Sequence, residues 1–157
     1  MAKLIACGLL MCRWHNQRLQ YFLVHPGGPF FKNKEAGVWS IPKGIPEDRE
    51  DLLATAEREF KEETGLTSSP PYYPLKPIQQ KGGKVVHAWA FVGEWEESQG
   101  IVSNTFEIEW PPRSGKRQAF PEQERAAWLD FEQASIAINP AQISLLEEAN
   151  DIFSAKT

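Results

Sequence analysis

Apolar residues run almost unbroken from Lys3 to Arg13 and again from Arg18 to His25, with a short polar interval at Trp14 to Gln17. Two such runs predict a pair of buried strands joined as a hairpin. His25-Pro26-Gly27-Gly28-Pro29 then interrupts regular structure. Val38-Trp39-Ser40-Ile41 reads as another short strand, stopped by Pro42, which has no N–H to donate. From Asp51 to Thr64 the period changes: Leu53, Ala56 and Phe60 recur at three and four residues, the spacing of one helix face, and Gly65 supplies a left-handed stop. Ser68 to Pro77 holds Pro70, Pro71, Pro74 and Pro77 and is expected to be a loop anchored by Tyr72, Tyr73 and Leu75. Alternation returns over Lys84 to Trp95 and Thr105 to Trp110, predicting two strands, and Ala126 to Asp130 predicts the last. Phe131 to Ala137 and Pro140 to Phe153 are expected to be helices, the second led in by Asn139 as cap and Pro140 in the first turn.

Composition narrows the class. The chain of 157 residues is 41% hydrophobic and 24% charged, which suits one domain spanning 1–157 with its own core. A net charge of −4 argues against a sequence-independent hold on DNA or RNA, so no stable nucleic-acid partner is expected. The longest apolar run, Leu4 to Cys12, is nine residues. A bilayer span needs roughly 20, and no membrane partner is expected. Leu4-Ile5-Ala6-Cys7 imitates a lipoprotein cleavage box, but only three residues precede it. Cys7 and Cys12 are five positions apart in a strand, so they should face opposite sides, unbridged, as packing residues. A cytoplasmic location is expected on these grounds; the sequence carries no signal for oligomeric state.

The informative stretch is Pro42 to Leu66, PKGIPEDREDLLATAEREFKEETGL. Its helix places Glu59, Glu62 and Glu63 on one face within a turn, an arrangement that like charges oppose. Opposite-sign pairs at Glu57/Lys61 and Arg58/Glu62 would offset part of that repulsion, and alone the cluster could be a solvated face. The wider spacing argues otherwise: Gly44, Glu50, Arg58-Glu59-Phe60, Glu62-Glu63 and Gly65-Leu66 stand at the intervals of the Nudix signature with no departure. Its seven fixed letters, at ordinary usage of roughly 6% each, would coincide by chance about once in 10⁸ to 10⁹ starting points. Hydrolysis of a phosphoric anhydride needs an activated water and neutralised phosphoryl charge, and magnesium or manganese held by hard oxygens supplies both.

The chain therefore resembles the Nudix hydrolase family through a motif of 23 residues, 44–66. The resemblance implies an α+β fold, an α/β/α sandwich of mixed sheet flanked by helices, which agrees with the order of elements above. It implies that Glu59, Glu62 and Glu63, with the carbonyl of Gly44, hold the ions, and that Glu59 or Glu62 orients or deprotonates water. Glu50 and Arg58 correspond to a pair bracing loop against helix, counted with the catalytic group; Phe60 and Leu66 match core positions. Many relatives take one more ligand or base from across the cleft, for which Glu122 is favoured here over Glu124.

Several residues outside the motif suit a phosphorylated ligand. Lys43 directly precedes Gly44; Lys81, Lys84 and His87 form a second basic group, and Arg113, Lys116 and Arg117 a third. Trp39 and Trp110 adjoin loops expected to rim the cleft, and Trp39 is a candidate for stacking on a base. Trp89 and Trp128 are expected in the core. Ala6 to Leu10, Phe22 to Val24 and Trp39 to Gly44 resemble the asymmetric diadenosine tetraphosphate hydrolases. His25 to Phe30, Gln80 to Ala90 and Phe106 to Gly115 are more similar to a small bacterial group named as nucleoside triphosphate pyrophosphohydrolases.

The expected activity is metal-dependent cleavage of an anhydride bond in a nucleoside diphosphate derivative, a small-molecule nucleotide, with Mg2+ or Mn2+ as cofactor. A dinucleoside polyphosphate ranks first and a nucleoside triphosphate second, with ADP-ribose and NADH behind them. A non-catalytic nucleotide sensor is the alternative of another class, disfavoured because no motif carboxylate is missing. Cap hydrolysis on RNA shares the chemistry but should need a more basic surface.

Overall fold

The computed structural model describes residues 4–155, so the expected start of the first strand at Lys3 lies outside the described residues. The opening hairpin forms as expected: β1 (Ile5–His15) and β2 (Arg18–Pro26) pair antiparallel, with Cys12 opposite Tyr21. Its turn is tighter than the polar interval suggests. Only Asn16 and Gln17 are left between the strands, both at positive φ (50° and 66°), a handedness that matches strand twist.

β1 is the spine of a seven-stranded mixed sheet. On its other side β6 (Val85–Val92) runs parallel, from Ile5 opposite Val85 to Cys12 opposite Val92, while β3 (Lys43–Gly44) pairs antiparallel with Cys7 and Gly8 on the same side as β2. Two-residue strands β4 (Tyr73–Pro74) and β5 (Ile78–Gln79) edge β6, and β9 (Gln123–Asp130) edges β2. A separate hairpin, β7 (Thr105–Glu109) with β8 (Arg117–Pro121), stands off the sheet.

Helix α1 (Leu52–Thr64) lies against one face of the sheet. Asp51 caps it by accepting from the Ala54 N–H, and Gly65 ends it at φ 79°, a conformation that costs a side-chain-bearing residue about 1 kcal/mol or more. Its apolar side, Ala56 and Phe60, packs with Leu9, Phe22, Phe91, Trp95 and Trp128. α2 (Phe131–Ala137) and α3 (Ile143–Ser154) cover the opposite face, where Leu145, Leu146 and Phe153 meet Leu10, Leu23 and Val86. The expected helix from Pro140 is in fact a 3₁₀ turn, Pro140–Gln142, running into α3, with Asn139 capping through the Ala141 N–H as expected. Cys7 and Cys12 fall in the two different cores, both buried and unbridged.

The expected strand Val38–Ile41 is reduced to two single bridges, Ser40 to Val24 and Trp39 to Ile138. The ladder stops because the Ile41 N–H is taken by the Gln142 side chain and Pro42 has none to give. Among the described residues no helix is long and apolar enough to cross a membrane.

Candidate metal and nucleotide site

The acidic face of α1 is aimed by the loop in front of it. Arg58 grips Glu50 with two nitrogens, Nε at 2.8 Å and Nη2 at 2.9 Å, and Nη2 also donates to the carbonyl of Ile45 at 3.1 Å. Glu50 accepts further bonds from the Thr55 hydroxyl (2.7 Å) and the Glu47 N–H (3.0 Å). These donors, Arg58 foremost, hold its carboxyl down to about 2. The bracing pair of the sequence is thus in contact. The other guanidinium nitrogen, Nη1, donates to Glu59 (2.7 Å) and Glu62 (3.0 Å), so a fixed cation already stands against two of the expected ligands.

Gly44 is a glycine because Glu59 needs the space: a Cβ there would lie 2.0 Å from the Glu59 carboxylate. Its neighbour Lys43 donates its backbone N–H to Glu63 Oε1 at 3.3 Å. Glu63 is only 5% exposed, and burial, followed by the charges of Glu59 and Glu122, pushes its carboxyl up to about 8 against the pull of Lys43. Burial also raises Glu59, and the Lys43 ammonium is lowered by burial and then by Lys84.

Glu122 joins this group and Glu124 does not. The connection is a backbone relay: Asn104 donates to the carbonyl of Glu62 (2.9 Å) and accepts from the N–H of Glu122 (2.8 Å), fastening the loop before β9 to the last turn of α1. Burial and then Glu62 raise the Glu122 carboxyl. Glu124 points the other way, 3.1 Å from Nδ1 of the fully buried His25.

Beside the carboxylates lies a cavity of about 280 Å³, lined by Lys43 and Glu63 at one end and by Phe31, Gln80, Gln123 and Gln142 elsewhere. Sequence reasoning missed the glutamines. Gln123 donates to Glu63 (3.0 Å) while its Oε1 is buried with no partner among the described residues. Gln142, 1% exposed, ties Ile41, Ser40 and Gln80 together. Adjacency to Glu122 could have flagged Gln123; nothing local marks Gln142.

Other expected residues are dispersed. Trp39 is a correction: at 4% exposure it belongs to the core, with the edge of His25 and the guanidinium of Arg125 on its ring, so no face is free for a base. Lys81 is exposed and lines no part of the cavity. His87 sits half-buried on β6 in register with Cys7, on the side that α1 covers, away from the cavity lining. Arg113, Lys116 and Arg117 are exposed around the turn of the β7–β8 hairpin. Trp89 and Trp128 are packed as expected.

The donor set fits a hard divalent cation: carboxylates and a carbonyl, no sulfur, with like charges raising one another. As they stand, with Arg58 on Glu59 and Glu62, no three such groups among the described residues are arranged to hold one ion.

The model of the NUDIX domain matches residues 5–149. An mRNA-decapping protein, g5R of African swine fever virus (isolate Warthog/Namibia/Wart80/1980), is 48% identical over 44 residues, 28% of this chain and 17% of the viral one. The chain thus aligns with about a sixth of the length of the curated relatives it matches. The NUDIX domain of Shewanella oneidensis NrtR, solved in complex with ADP ribose, superposes at a TM-score of 0.66 with 17% identity, covering 98% of this chain and 90% of that one. A C. elegans Ap4A hydrolase binary complex gives 0.63 with 22% identity over 98% and 99%.

Proposed function

The chain belongs to the NUDIX domain family, and from that premise we propose that it is a metal-dependent pyrophosphohydrolase of a nucleoside diphosphate derivative, a dinucleoside polyphosphate before a nucleoside triphosphate. The observation that carries the reading is that Glu59, Glu62 and Glu63 share one face of α1 and that Asn104 fastens the backbone of Glu122 to the last turn of that helix, next to a cavity lined by Lys43 and Glu63. The resemblance of Ala6 to Leu10, Phe22 to Val24 and Trp39 to Gly44 to the asymmetric diadenosine tetraphosphate hydrolases supports the ranking.

In this reading Glu59, Glu62, Glu63 and the Gly44 carbonyl, with Glu122, would hold magnesium or manganese. Such an ion supplies neutralisation of phosphoryl charge and an acidified water. Glu59 or Glu62 would serve as the base that takes the proton of the attacking water, the bridging oxygen leaving on the departing phosphate. Lys43 and Lys84 meet the negative charge of the phosphate chain, and Arg58 and Glu50 keep α1 and its entry loop in register. Gln123 positions Glu63 through its hydrogen bond.

Phosphate or pyrophosphate release across diadenosine polyphosphates, nucleoside triphosphates, ADP-ribose and NADH, with magnesium and with manganese, tests the proposal. Turnover of one of these classes, strongest on a diadenosine polyphosphate, is expected. No turnover above blank on any of them overturns it.

A further inference from the structure

Trp110 is half-buried just past the end of β7, against Phe30 of the chain leaving β2. Phe106 and Trp110 alternate onto one face, Phe106 stands opposite Phe120, and a Cβ on Gly28 would come within 2.9 Å of the Phe106 ring. Phe30 meets Trp110 edge-on, ring centroids 5.6 Å apart, yet Phe30 remains 62% exposed. Trp110 and Phe120 border a second cavity of about 350 Å³, which Lys32, Gln118 and Glu124 also line.

The two cavities draw on the same two stretches of chain. The end of β2 and the segment after it give Pro26 and Phe31 to the first cavity and Gly28, Pro29 and Lys32 to the second. The β8–β9 corner gives Gln123 to the first and Phe120 and Pro121 to the second, with Glu122 of the acidic group between them. Glu63 lines the first cavity and Glu122 stands in the chain between residues that line the two, a placement that suits a phosphate chain with a planar group at each end. The second cavity has the chemistry for such a group: aromatic faces stack on any base, a glutamine amide offers a donor and an acceptor to a base edge, and a lysine meets phosphate.

Building on the pyrophosphohydrolase reading, we propose that this cavity receives the second nucleobase of a dinucleoside polyphosphate, stacked against Trp110. It accounts for an aromatic surface that the core does not use. The test compares diadenosine tetraphosphate with ATP on wild type, Trp110→Leu, Trp110→Phe and Lys32→Ala. Trp110→Leu keeps apolar bulk but removes the ring. It should raise KM for diadenosine tetraphosphate about tenfold, the scale of one base–aromatic stack, with kcat within about twofold and KM for ATP unchanged. Trp110→Phe should restore most of the loss, and Lys32→Ala should move KM in the same direction. Equal effects on both nucleotides, or none, overturn the subsite.

Equilibrium dialysis without divalent ions separates this from the hydrolase reading. Wild type should bind diadenosine tetraphosphate about tenfold more tightly than ATP and Trp110→Leu should lose that preference, even if no substrate is turned over. A preference unaffected by Trp110→Leu and Lys32→Ala removes the second site and leaves the hydrolase reading standing.

Discussion

Glu62 is the residue whose substitution best separates chemistry from folding. Its side chain is 39% exposed, it forms an ion pair with Arg58, and it is not among the buried residues of the core. Glu62→Gln should lower kcat by about 100-fold or more, the scale of a lost acid–base or ligand carboxylate, while the melting temperature stays within about 2 °C. Steady-state kinetics and a thermal melt on the same preparation check both halves. Gly44 gives the complementary case. A Cβ would strike the Glu59 side chain at its carboxylate, 2.0 Å, and at its Cγ, 2.6 Å, so the whole side chain must turn away and release Arg58. Gly44→Ala should therefore displace the Glu59 carboxylate, with kcat falling by about tenfold or more and stability by about 1 kcal/mol. A crystal structure of the variant with Glu59 unmoved would contradict the account.

At the scale of elements, the site depends on α1 being docked to its own entry loop. Arg58 makes that dock with a planar fork: two bonds to Glu50, one to Ile45, one each to Glu59 and Glu62. An ammonium has the charge but not the fork. Arg58→Lys should cost only about 1 kcal/mol of stability, since the pairs are partly exposed, yet amide exchange over residues 45–50 should rise and kcat fall with it. Hydrogen exchange read by mass spectrometry measures this. The same elements explain how far the sequence could be read. α1 was legible end to end because cap, period and stop are local and agree, and the β1–β2 hairpin because burial on both faces leaves an unbroken apolar run. β8 was not legible: four of its five residues are exposed and its pairing with β7 is what makes it a strand. Trp39 misled for the same reason, since its burial comes from Ile138 and Arg125, about 90 to 100 positions away in sequence. The carboxylates of α1 were legible from spacing; the relay through Asn104 that brings Glu122 to them was not.

Across the whole molecule, the sheet separates two regions with different titrations. The acidic group lies by α1, whereas Cys12 and Tyr21 lie in the core under α2 and α3, in register with each other across β1 and β2. Burial raises both above their ordinary values, and Tyr21 Oη has no hydrogen-bond partner among the described residues. Both groups are neutral when protonated, so the folded state keeps protons that the unfolded chain releases. Their contribution to stability is complete below the ordinary thiol value near 9 and is lost as pH rises beyond it. Each group then erodes the unfolding free energy by about 1.4 kcal/mol per pH unit. Denaturant unfolding between pH 8 and 10.5 should trace that decline. Cys12→Ala should remove about half of the slope from pH 9, the remainder coming from the Cys7 thiol of the α1-side core, which burial raises to about 11, and Tyr21→Phe should flatten the part above 10. The phenylalanine variant should also be no less stable than wild type at pH 8, because it removes a buried hydroxyl that bonds to nothing. Neither substitution touches the face that carries the carboxylates, so turnover at pH 8 should be unchanged in both. A decline with the same slope in the double variant would place the alkaline transition elsewhere in the molecule.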